Sequence, residues 1–359
     1  MFMKFNKFLV FDMFSYYNPI VQEDIIGISK RIDWTAFKGQ SILITGANGH
    51  IASYLAFSIA YAIREDLVDA QLYVLSRNKE RLGNLYGDFQ NFPWFHMVAA
   101  DVCTLGLQEL KFDYIFHLAG NASPYFIKSD PVGILRANLE GTFEICELAR
   151  KKYGCKVIYA STREVYGKNN IDDKLSEYSF GFIDPLDSRS CYPESKRASE
   201  TILEAYRCQY DISFSIARIA HCYGPGMKLE NDGRVMSDFL NDALNGNDII
   251  IKSDGMALRA FCYISDIVAG LLMIATINES GVYNLSNESE EITIKSLANL
   301  IAGYIGGISV QVNGDNFDTT LYCNYKRKPL DCSKIMERGW VATVGLNEGI
   351  SRTVKSFRS

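Results

Sequence analysis

The sequence lacks the patterns that several classes of protein require. Its nine cysteines include no Cys-x-x-Cys pair and do not cluster with the four histidines, which argues against a metal site and against a disulfide framework. Basic residues do not exceed acidic ones, and the net charge of −5 gives no general attraction to nucleic acid or to anionic membranes. The apolar run at 8–12 is too short for a signal peptide or a membrane span. These absences predict a protein of the reducing cytoplasm.

What is present is typical of a soluble globular enzyme: 359 residues, 48% of them hydrophobic and 22% charged, enough for one large or two coupled domains. Residues 1–38 precede the first predicted strand and are rich in aromatic side chains. We interpret them as an extension that packs on the domain surface or on a partner subunit. A membrane-surface helix is the alternative, and it is disfavoured because its polar face is not strongly basic.

The rest of the chain is organised around the stretch at 41–53. A short isoleucine- and leucine-rich run predicts a buried parallel strand, which breaks at Gly46 and continues as a helical pattern. Gly46 permits a tight turn, Gly49 lets backbone N–H groups approach a pyrophosphate, and Ala52 permits close packing of helix on strand. The spacing differs from the commoner Gly-x-Gly-x-x-Gly, so a glycine turn without a ligand is the alternative at this point.

Strand patterns recur at 71–77, 96–102, 112–120 and 156–161, with helical segments between them. This alternation predicts a Rossmann-type, doubly wound parallel sheet with ligands at the carboxyl ends of its strands. The predicted domain limits are 39–220 for the dinucleotide-binding domain, with a return near 260–287, and 221–359 for a smaller α/β lobe over the substrate. Arg77 ends the second strand where NAD-binding folds usually carry a carboxylate, which favours NADP over NAD. An exposed arginine at a helix start is the alternative.

Two segments carry the predicted chemistry. Thr162 follows the strand at 156–161, and Tyr192 and Lys196 are four residues apart, so that a helix places both on one face. An ammonium near a phenol should lower the pKa of the tyrosine. Such a group can remove a proton from a sugar hydroxyl while the neighbouring C–H leaves as hydride. The predicted cofactor contacts are Gly46, Asn48, Gly49, His50, Ile51, Arg77, Asp101, Val102, Leu118, Ala119, Gly120, Tyr192 and Lys196.

These motifs, with His-Leu-Ala-Gly at 117–120, Asn-Leu-Glu-Gly-Thr at 138–142 and the runs at 218–225 and 259–266, cover roughly residues 40–300. Together they resemble the nucleotide-sugar epimerase, dehydratase and decarboxylase branch of the extended short-chain dehydrogenase/reductase family. The resemblance implies a tightly held NAD or NADP, a 4-keto sugar intermediate, a nucleoside-diphosphate sugar as substrate, and a homodimer. It implies catalytic roles for Tyr192, Lys196, Thr162 and Glu164, and substrate contacts from Ser123, Asn138, Arg163, His221, Arg234 and Arg259, with Arg259 on the diphosphate.

The residue at 163 separates the reactions of this branch. Its 4,6-dehydratases typically carry Thr-Asp-Glu, in which the aspartic acid protonates the leaving hydroxyl, whereas Arg163 has no proton to give. The UDP-glucuronate decarboxylases typically carry Thr-Ser-Glu and need no such acid, so the sequence is closest to them. Arg163 could contact a substrate carboxylate; a side chain that points away from the pocket is the alternative. His221 departs from the asparagine usual before Tyr-Gly-Pro. An NDP-hexose 4,6-dehydratase such as dTDP-glucose 4,6-dehydratase, an NDP-sugar 4-epimerase and a silent dinucleotide-binding sensor are the alternatives.

Overall fold

The computed structural model describes residues 14–106, 109–169, 173–313 and 327–358. The strands are β1 (Gln40–Thr45), β2 (Ala70–Ser76), β3 (Phe95–Ala99), β4 (Tyr114–His117), β5 (Lys156–Thr162), β6 (Ser213–Ile219), β7 (Cys222–Tyr223), β8 (Ile249–Ile251), β9 (Leu258–Ala260), β10 (Cys262–Tyr263), β11 (Gly281–Leu285), β12 (Glu291–Thr293) and β13 (Val310–Val312). The helices are α1 (Pro19–Ser29), α2 (His50–Arg64), α3 (Lys79–Tyr86), α4 (Pro124–Ser129), α5 (Pro131–Ala149), α6 (Cys191–Tyr210), α7 (Val235–Leu244), α8 (Ile264–Thr276), α9 (Ile294–Ile305), α10 (Ser333–Met336) and α11 (Leu346–Ser356).

Seven parallel strands form the central sheet in the order β11–β6–β5–β4–β1–β2–β3. The predicted doubly wound fold is confirmed, including the late strand β11, which returns to pair with β6. Strand order reverses at β1, which lies between β2 and β4, so the crevice for a ligand opens beyond the carboxyl end of β1. Strands β3 and β4 end earlier than predicted. The segments at 101–102 and 118–120 therefore lie in the loops beside that crevice.

Side chains of β1 alternate between two apolar layers, as the pleat of a strand requires. Ile42 and Ile44 join the larger core with α1, α2 and α8, whereas Leu43 joins the core formed with α5 and α6. Both faces of the sheet are thus covered by helices, which is the reason a nearly continuous apolar run was needed at this position.

The amino-terminal extension enters the larger core instead of only covering the surface. Val21, Ile25 and Ile28 of α1 recur at helical spacing and are buried in the same cluster as the sheet. The side chain of Asn18 caps α1 and also donates to the carbonyl of Ser356 at 3.2 Å. Buried polar bonds therefore join the start and the end of the described chain. The aromatic residues at positions 2, 5, 8 and 11 lie outside the described residues.

A smaller set of elements follows β6. Strands β7 and β10 pair in parallel, β9 and β12 pair antiparallel, β8 and β13 pair in parallel, and α7 packs on α9. Thr293 caps α9 by accepting from the amide of Ser296. The domain limits at 39–220 and 221–359 stay a prediction. Over the described parts of the chain, every helix is too short or too polar to cross a bilayer.

Candidate active site

The turn after β1 is built so closely that it admits only glycine at its first position. Gly46 has a φ of +69°, and a Cβ there would lie 2.8 Å from the backbone N and Cα of Ala119. Gly49 is the N-cap of α2, and because glycine has no side chain it does not cap the first amides of the helix. The amide of Ala119 donates to the hydroxyl of Thr45, which ties the turn to the end of β4.

Two buried polar atoms beside this turn have no hydrogen-bond partner among the described residues: Oδ1 of Asn48 and Nδ1 of His50. Nδ2 of Asn48 donates to the carbonyl of Asn78, and Nε2 of His50 lies 3.0 Å from the carbonyl of Pro225. Burial lowers the pKa of His50 to about 3, so the imidazole is neutral. Buried polar atoms of this kind require a partner. The turn therefore fits a dinucleotide with its hydroxyl and phosphate groups.

The remaining predicted cofactor residues divide between the crevice and its rim. Gly120 lies in the crevice: a Cβ on it would meet Oδ1 of Asn138 at 2.6 Å and Nζ of Lys196 at 3.5 Å. Arg77 lies on the rim, with its side chain 76% exposed and its Nη1 3.7 Å from the Asp101 carboxylate. Val102 and Ala119 are buried in the core on the α5 and α6 side, and Ile51 and Leu118 are partly buried against the larger core.

The hydroxyls of Tyr192 and Thr162 are joined by a hydrogen bond, and both residues are buried. Lys196 follows one turn later on α6. Its Nζ donates to the carbonyl of Ala160 at 2.8 Å and lies 4.5 Å from the centre of the Tyr159 ring. The structure thus brings the predicted phenol, threonine and lysine together at the end of β5.

The predicted direction of the tyrosine pKa is wrong for this structure. Burial raises the pKa of Tyr192, and the carboxylate of Glu164 raises it further. The hydrogen bond from Thr162 and the guanidinium groups of Arg234 and Arg189 only partly oppose this. Burial also lowers the pKa of Lys196 to about 7. The prediction considered the ammonium charge alone, whereas removal from water acts on both groups and outweighs it.

Glu164 forms a bidentate ion pair with Arg189, which the sequence did not lead us to predict. Nη1 and Nη2 of Arg189 donate to its two carboxylate oxygens at 2.8 and 2.9 Å, and each side chain is only 13% exposed. Nη2 of Arg327 lies 3.6 Å from the same carboxylate. Burial alone would raise the pKa of Glu164, but Arg189, Arg327 and Arg163 outweigh it and hold that pKa below its ordinary value.

His221 and Arg327 form the second contact that sequence reasoning missed. Nη1 of Arg327 donates to Nε2 of His221 at 2.6 Å, and His221 has an unusual positive φ of 41°. Burial lowers the pKa of His221 well below its ordinary value, and the nearby guanidinium groups of Arg327, Arg163, Arg259 and Arg234 lower it further. The structure therefore gathers all the predicted substrate arginines around one neutral imidazole.

The other predicted substrate residues make hydrogen bonds to neighbouring parts of the protein. The Ser123 hydroxyl donates to the Asp232 carbonyl at 2.6 Å, and the Asp232 carboxylate accepts from Arg234 at 2.5 and 3.0 Å. Nδ2 of Asn138 donates to the hydroxyl of Ser195 at 2.8 Å, while its buried Oδ1 has no partner among the described residues. Arg259 donates to the carbonyl of Leu258 at 2.7 Å. Ser123 and Asn138 thus bind to Asp232 and Ser195 of the protein itself.

A role for Arg189 could have been predicted from the sequence, because it stands three residues before Tyr192 and must lie near the residues that surround the phenol. No such prediction was possible for Arg327, since it reaches the site from 163 residues beyond Glu164 in the chain. Within the described residues, no group of three or more His, Cys, Asp or Glu side chains could hold a metal ion. The glycine turn can hold a dinucleotide and the arginines can hold an anionic ligand, and Arg234 and Arg189 also act on the pKa of the Tyr192 phenol.

Comparison with known proteins gives matches over most of the chain. The model of the NAD dependent epimerase/dehydratase family matches residues 42–286. UDP-glucuronic acid decarboxylase 3 of Arabidopsis thaliana is 36% identical over 319 residues, which cover 88% of this chain and 89% of that protein.

Solved structures share the fold at lower identity. The UDP-N-acetylglucosamine 4-epimerase of Methanobrevibacter ruminantium, in complex with UDP-N-acetylmuramic acid, has a TM-score of 0.77 and 23% identity over 90% of this chain and 99% of its own. The UDP-glucuronic acid 4-epimerase of Bacillus cereus, in complex with UDP-glucuronic acid and NAD, has a TM-score of 0.73 and 21% identity over 89% and 99%.

Proposed function

The chain belongs to the NAD dependent epimerase/dehydratase family, and from that premise we propose that it decarboxylates UDP-glucuronate through a transient 4-keto sugar. One observation carries the choice of reaction. In the sequence of the turn after β5, Arg163 stands at the position where the dehydratases typically carry an aspartic acid, and the neighbouring Glu164 is an ionised carboxylate bound by Arg189. A 4,6-dehydratase needs an acid for the leaving hydroxyl and a base for C5. Glu164 could serve as the base, but neither residue of this pair supplies the acid.

Loss of CO₂ makes no such demand. In a 4-keto hexuronate the carboxylate carbon is bonded to C5, next to the ketone. When the bond between C5 and the carboxylate breaks, its electron pair passes into the ketone as an enolate, and C5 then takes a proton. The net products are CO₂ and a UDP-pentose. Arginine side chains close to the developing enolate oxygen and to the carboxylate suit this step, because they stabilise negative charge without transferring a proton.

Tyr192 is the group we assign to the proton of the C4 hydroxyl. Its hydroxyl is hydrogen-bonded to Thr162, and the guanidinium groups of Arg234 and Arg189 favour the phenolate against the opposing effects of burial and Glu164. Lys196 follows one turn later on α6, and its Nζ donates to the carbonyl of Ala160 near the end of β5. The chemistry that a bound nicotinamide supplies is hydride exchange with the sugar at C4, and Gly46, with the polar atoms near it, would hold the dinucleotide.

For the cofactor we propose a preference for NADP over NAD, supported by Arg77. A guanidinium at the end of β2 can bind a ribose 2′-phosphate, whereas a carboxylate there would bind the 2′-hydroxyl. Arg77 is exposed on the rim of the crevice and pairs loosely with Asp101, so it can turn toward a phosphate without breaking a buried contact.

We also propose a homodimer of this chain in a reducing, cytoplasmic compartment. Helices α5 and α6 pack side by side and leave aromatic side chains outside, with Phe143 49% and Tyr210 42% exposed. A second copy would cover this surface. Sedimentation analysis tests it: Phe143→Glu should yield monomers if α5 and α6 form the interface, whereas an unchanged oligomer would contradict it. The compartment is supported by the free thiols of the described cysteines.

The experiment that tests the reaction is incubation of the purified protein with UDP-glucuronate, UDP-glucose, UDP-N-acetylglucosamine and dTDP-glucose in separate samples. We expect CO₂ release from UDP-glucuronate and a UDP-pentose in the proton NMR spectrum. A 4-keto-6-deoxy product would identify a dehydratase instead, and a C4 epimer would identify an epimerase. No turnover of any of these four compounds would favour an unusual sugar as substrate or a silent dinucleotide-binding sensor.

A further inference from the structure

Three consecutive residues at the end of β5 each contact α6, and the residues they meet on that helix are one turn apart. Two of the contacts, described above, involve the phenol of Tyr192 and the ammonium of Lys196. In the third, the hydroxyl of Ser161 donates to Oε1 of Glu200 at 2.5 Å. Glu200 thus continues the series of Tyr192 and Lys196 at the same spacing of four residues, on the same face of the helix. The proposed chemistry gives this carboxylate no role.

The carboxylate of Glu200 is held from two neighbouring strands. Arg218 of β6 is the register partner of Ser161 on β5, so the two side chains reach Glu200 from adjacent positions. Nε and Nη2 of Arg218 donate to the two carboxylate oxygens at 3.1 and 2.6 Å, and the paired side chains are only 9% and 12% exposed. Nη1 of Arg218 donates to the carbonyl of Glu177 at 3.0 Å. The guanidinium therefore cannot turn away without losing a second bond, and Glu200 fixes one turn of α6 to the ends of two strands.

Glu200 is also a negative charge that acts on Lys196. Burial lowers the pKa of Lys196 to about 7, and the carboxylate of Glu200 opposes this effect because it favours the ammonium. The ionisable neighbours on the other elements carry no charge at neutral pH. Burial raises the pKa values of the Tyr159 and Tyr192 phenols and lowers that of His117, at the end of β4, to about 3. Loss of the Glu200 carboxylate should therefore let the lysine give up its proton at a lower pH.

We propose that Glu200 is a positioning residue that keeps Lys196 charged and in place beside Tyr192. Arg218 and Ser161 prevent the carboxylate from turning away, so its charge acts on the lysine from a fixed place. This inference rests on the proposed function, because it assumes that an ammonium near the phenol assists removal of the proton from the C4 hydroxyl. Glu200 acts through the lysine and needs no contact with the sugar.

NMR of the purified protein, with its lysines labelled with ¹³C at Cε, measures the protonation of Lys196 directly, and Lys196→Arg identifies its signal. Glu200→Gln should lower the pH midpoint of that signal by about one pH unit. Because Glu200→Gln leaves the guanidinium of Arg218 buried without its counter-charge, a double variant with Arg218→Gln removes both charges and should also titrate at lower pH than the natural protein. Glu204→Gln is the matched control, since Glu204 lies one turn further along α6 in an exposed ion pair with Arg207 and should leave the midpoint unchanged.

Turnover of UDP-glucuronate gives the second readout. In both Glu200→Gln proteins the acidic limb of the kcat profile should move to higher pH, because Tyr192 loses part of the ammonium charge that favours its phenolate. A limb displaced by one pH unit lowers kcat about tenfold on its acidic side, while KM should stay within about twofold. Glu200→Asp keeps the charge and should recover part of both effects. The control Glu204→Gln should show the natural profile.

An unchanged Lys196 midpoint in both Glu200→Gln proteins overturns the proposal, whatever happens to the rate, because a merely structural role would slow turnover without moving that signal. A lowered midpoint with an unaltered kcat profile overturns it as well. CO₂ release by the natural protein together with an unchanged midpoint would keep the decarboxylation and remove the role of Glu200. A lowered midpoint in a protein that releases no CO₂ in its natural form would keep the coupling of Glu200 to Lys196 and remove the proposed reaction.

Discussion

Replacement of Arg189 by alanine should expose how much the fold depends on one buried ion pair. Arg189 and Glu164 meet through two hydrogen bonds of 2.8 and 2.9 Å, and each side chain is 13% exposed. Removing one partner of a buried pair costs roughly 3–5 kcal/mol, because the other charge is left without compensation. Arg327 still lies 3.6 Å from the carboxylate, so we expect the lower end, about 3 kcal/mol at pH 7.

An unfolding entropy of about 2.1 cal/mol/K per residue gives about 0.75 kcal/mol/K for a chain of 359 residues, so about 3 kcal/mol should lower Tm by about 4 °C. The pH dependence has a definite sign. The pKa of Glu164 is held below its ordinary value in the folded protein, so the stability it contributes is complete above the pKa of the unfolded chain, about 4.3, and is lost as the pH falls through the folded value.

Without Arg189, fewer positive charges offset the effect of burial on Glu164, so its pKa should rise above that of the unfolded chain. The deficit in stability relative to the natural sequence should then be largest at pH 7–8 and should shrink as the carboxyl takes up a proton. Calorimetry of thermal unfolding between about pH 5 and 8 measures this.

The control for that experiment is Arg207→Ala, which removes an arginine whose ion pair with Glu204 is exposed, and it should leave Tm almost unchanged. Glu164→Gln placed in the Arg189→Ala protein should recover part of the loss, since the uncompensated charge is then gone. The reasoning is refuted if Arg189→Ala is no more destabilising than the control, or if its deficit grows as the pH falls.

Three further outcomes are expected. Gly46→Ala should lower the free energy of unfolding by about 2 kcal/mol more than Gly39→Ala and should weaken dinucleotide binding. Both positions have a φ near +70°, but only at Gly46 would the Cβ meet the backbone of Ala119. Equal losses of stability in calorimetry would contradict this. Tyr192→Phe should reduce turnover at least about a hundredfold and leave cofactor affinity unchanged, and an unaltered rate would remove the assigned base. Arg77→Ala should weaken NADP more than NAD in titrations; equal effects would end the argument for NADP.

The fold was predictable because its signals are local. A buried strand, a glycine and a helix stand next to one another in the sequence, and a parallel sheet follows from their repetition. The pair Tyr192 and Lys196 could be placed on one helix face from spacing alone. The late strand β11 was also predictable, since its apolar pattern at 281–285 needs a neighbour that covers both faces.

The electrostatics of the site could not be predicted in the same way. The pKa of Tyr192 depends on burial by segments far apart in the chain and on Glu164, whose state depends in turn on Arg189. Nζ of Lys196 donates to the carbonyl of Ala160 and lies over the ring of Tyr159, an arrangement set by packing at the end of β5. No spacing in the sequence encodes such distances.

The amino-terminal helix shows a signal that was present but was not used. Val21, Ile25 and Ile28 follow a helical period, and that pattern alone predicts an apolar face that must be buried. The buried carboxylate of Asp24 could not have been inferred from it. It accepts hydrogen bonds from the hydroxyls of Tyr54 and Tyr263 and from Arg352, which come from three different parts of the chain.

The backbone at His221 restricts which residues this position can accept. Its φ of 41° disfavours most side chains, and asparagine, aspartate and histidine are the non-glycine residues that tolerate such angles best. A change from asparagine to histidine is therefore one of the few exchanges open to a lineage of this fold without rebuilding the loop. Valine or isoleucine at this position would strain the backbone whether or not a ligand is bound. Only a few residue types can therefore occupy position 221, which limits how far this position can vary the contacts that such proteins offer to a substrate.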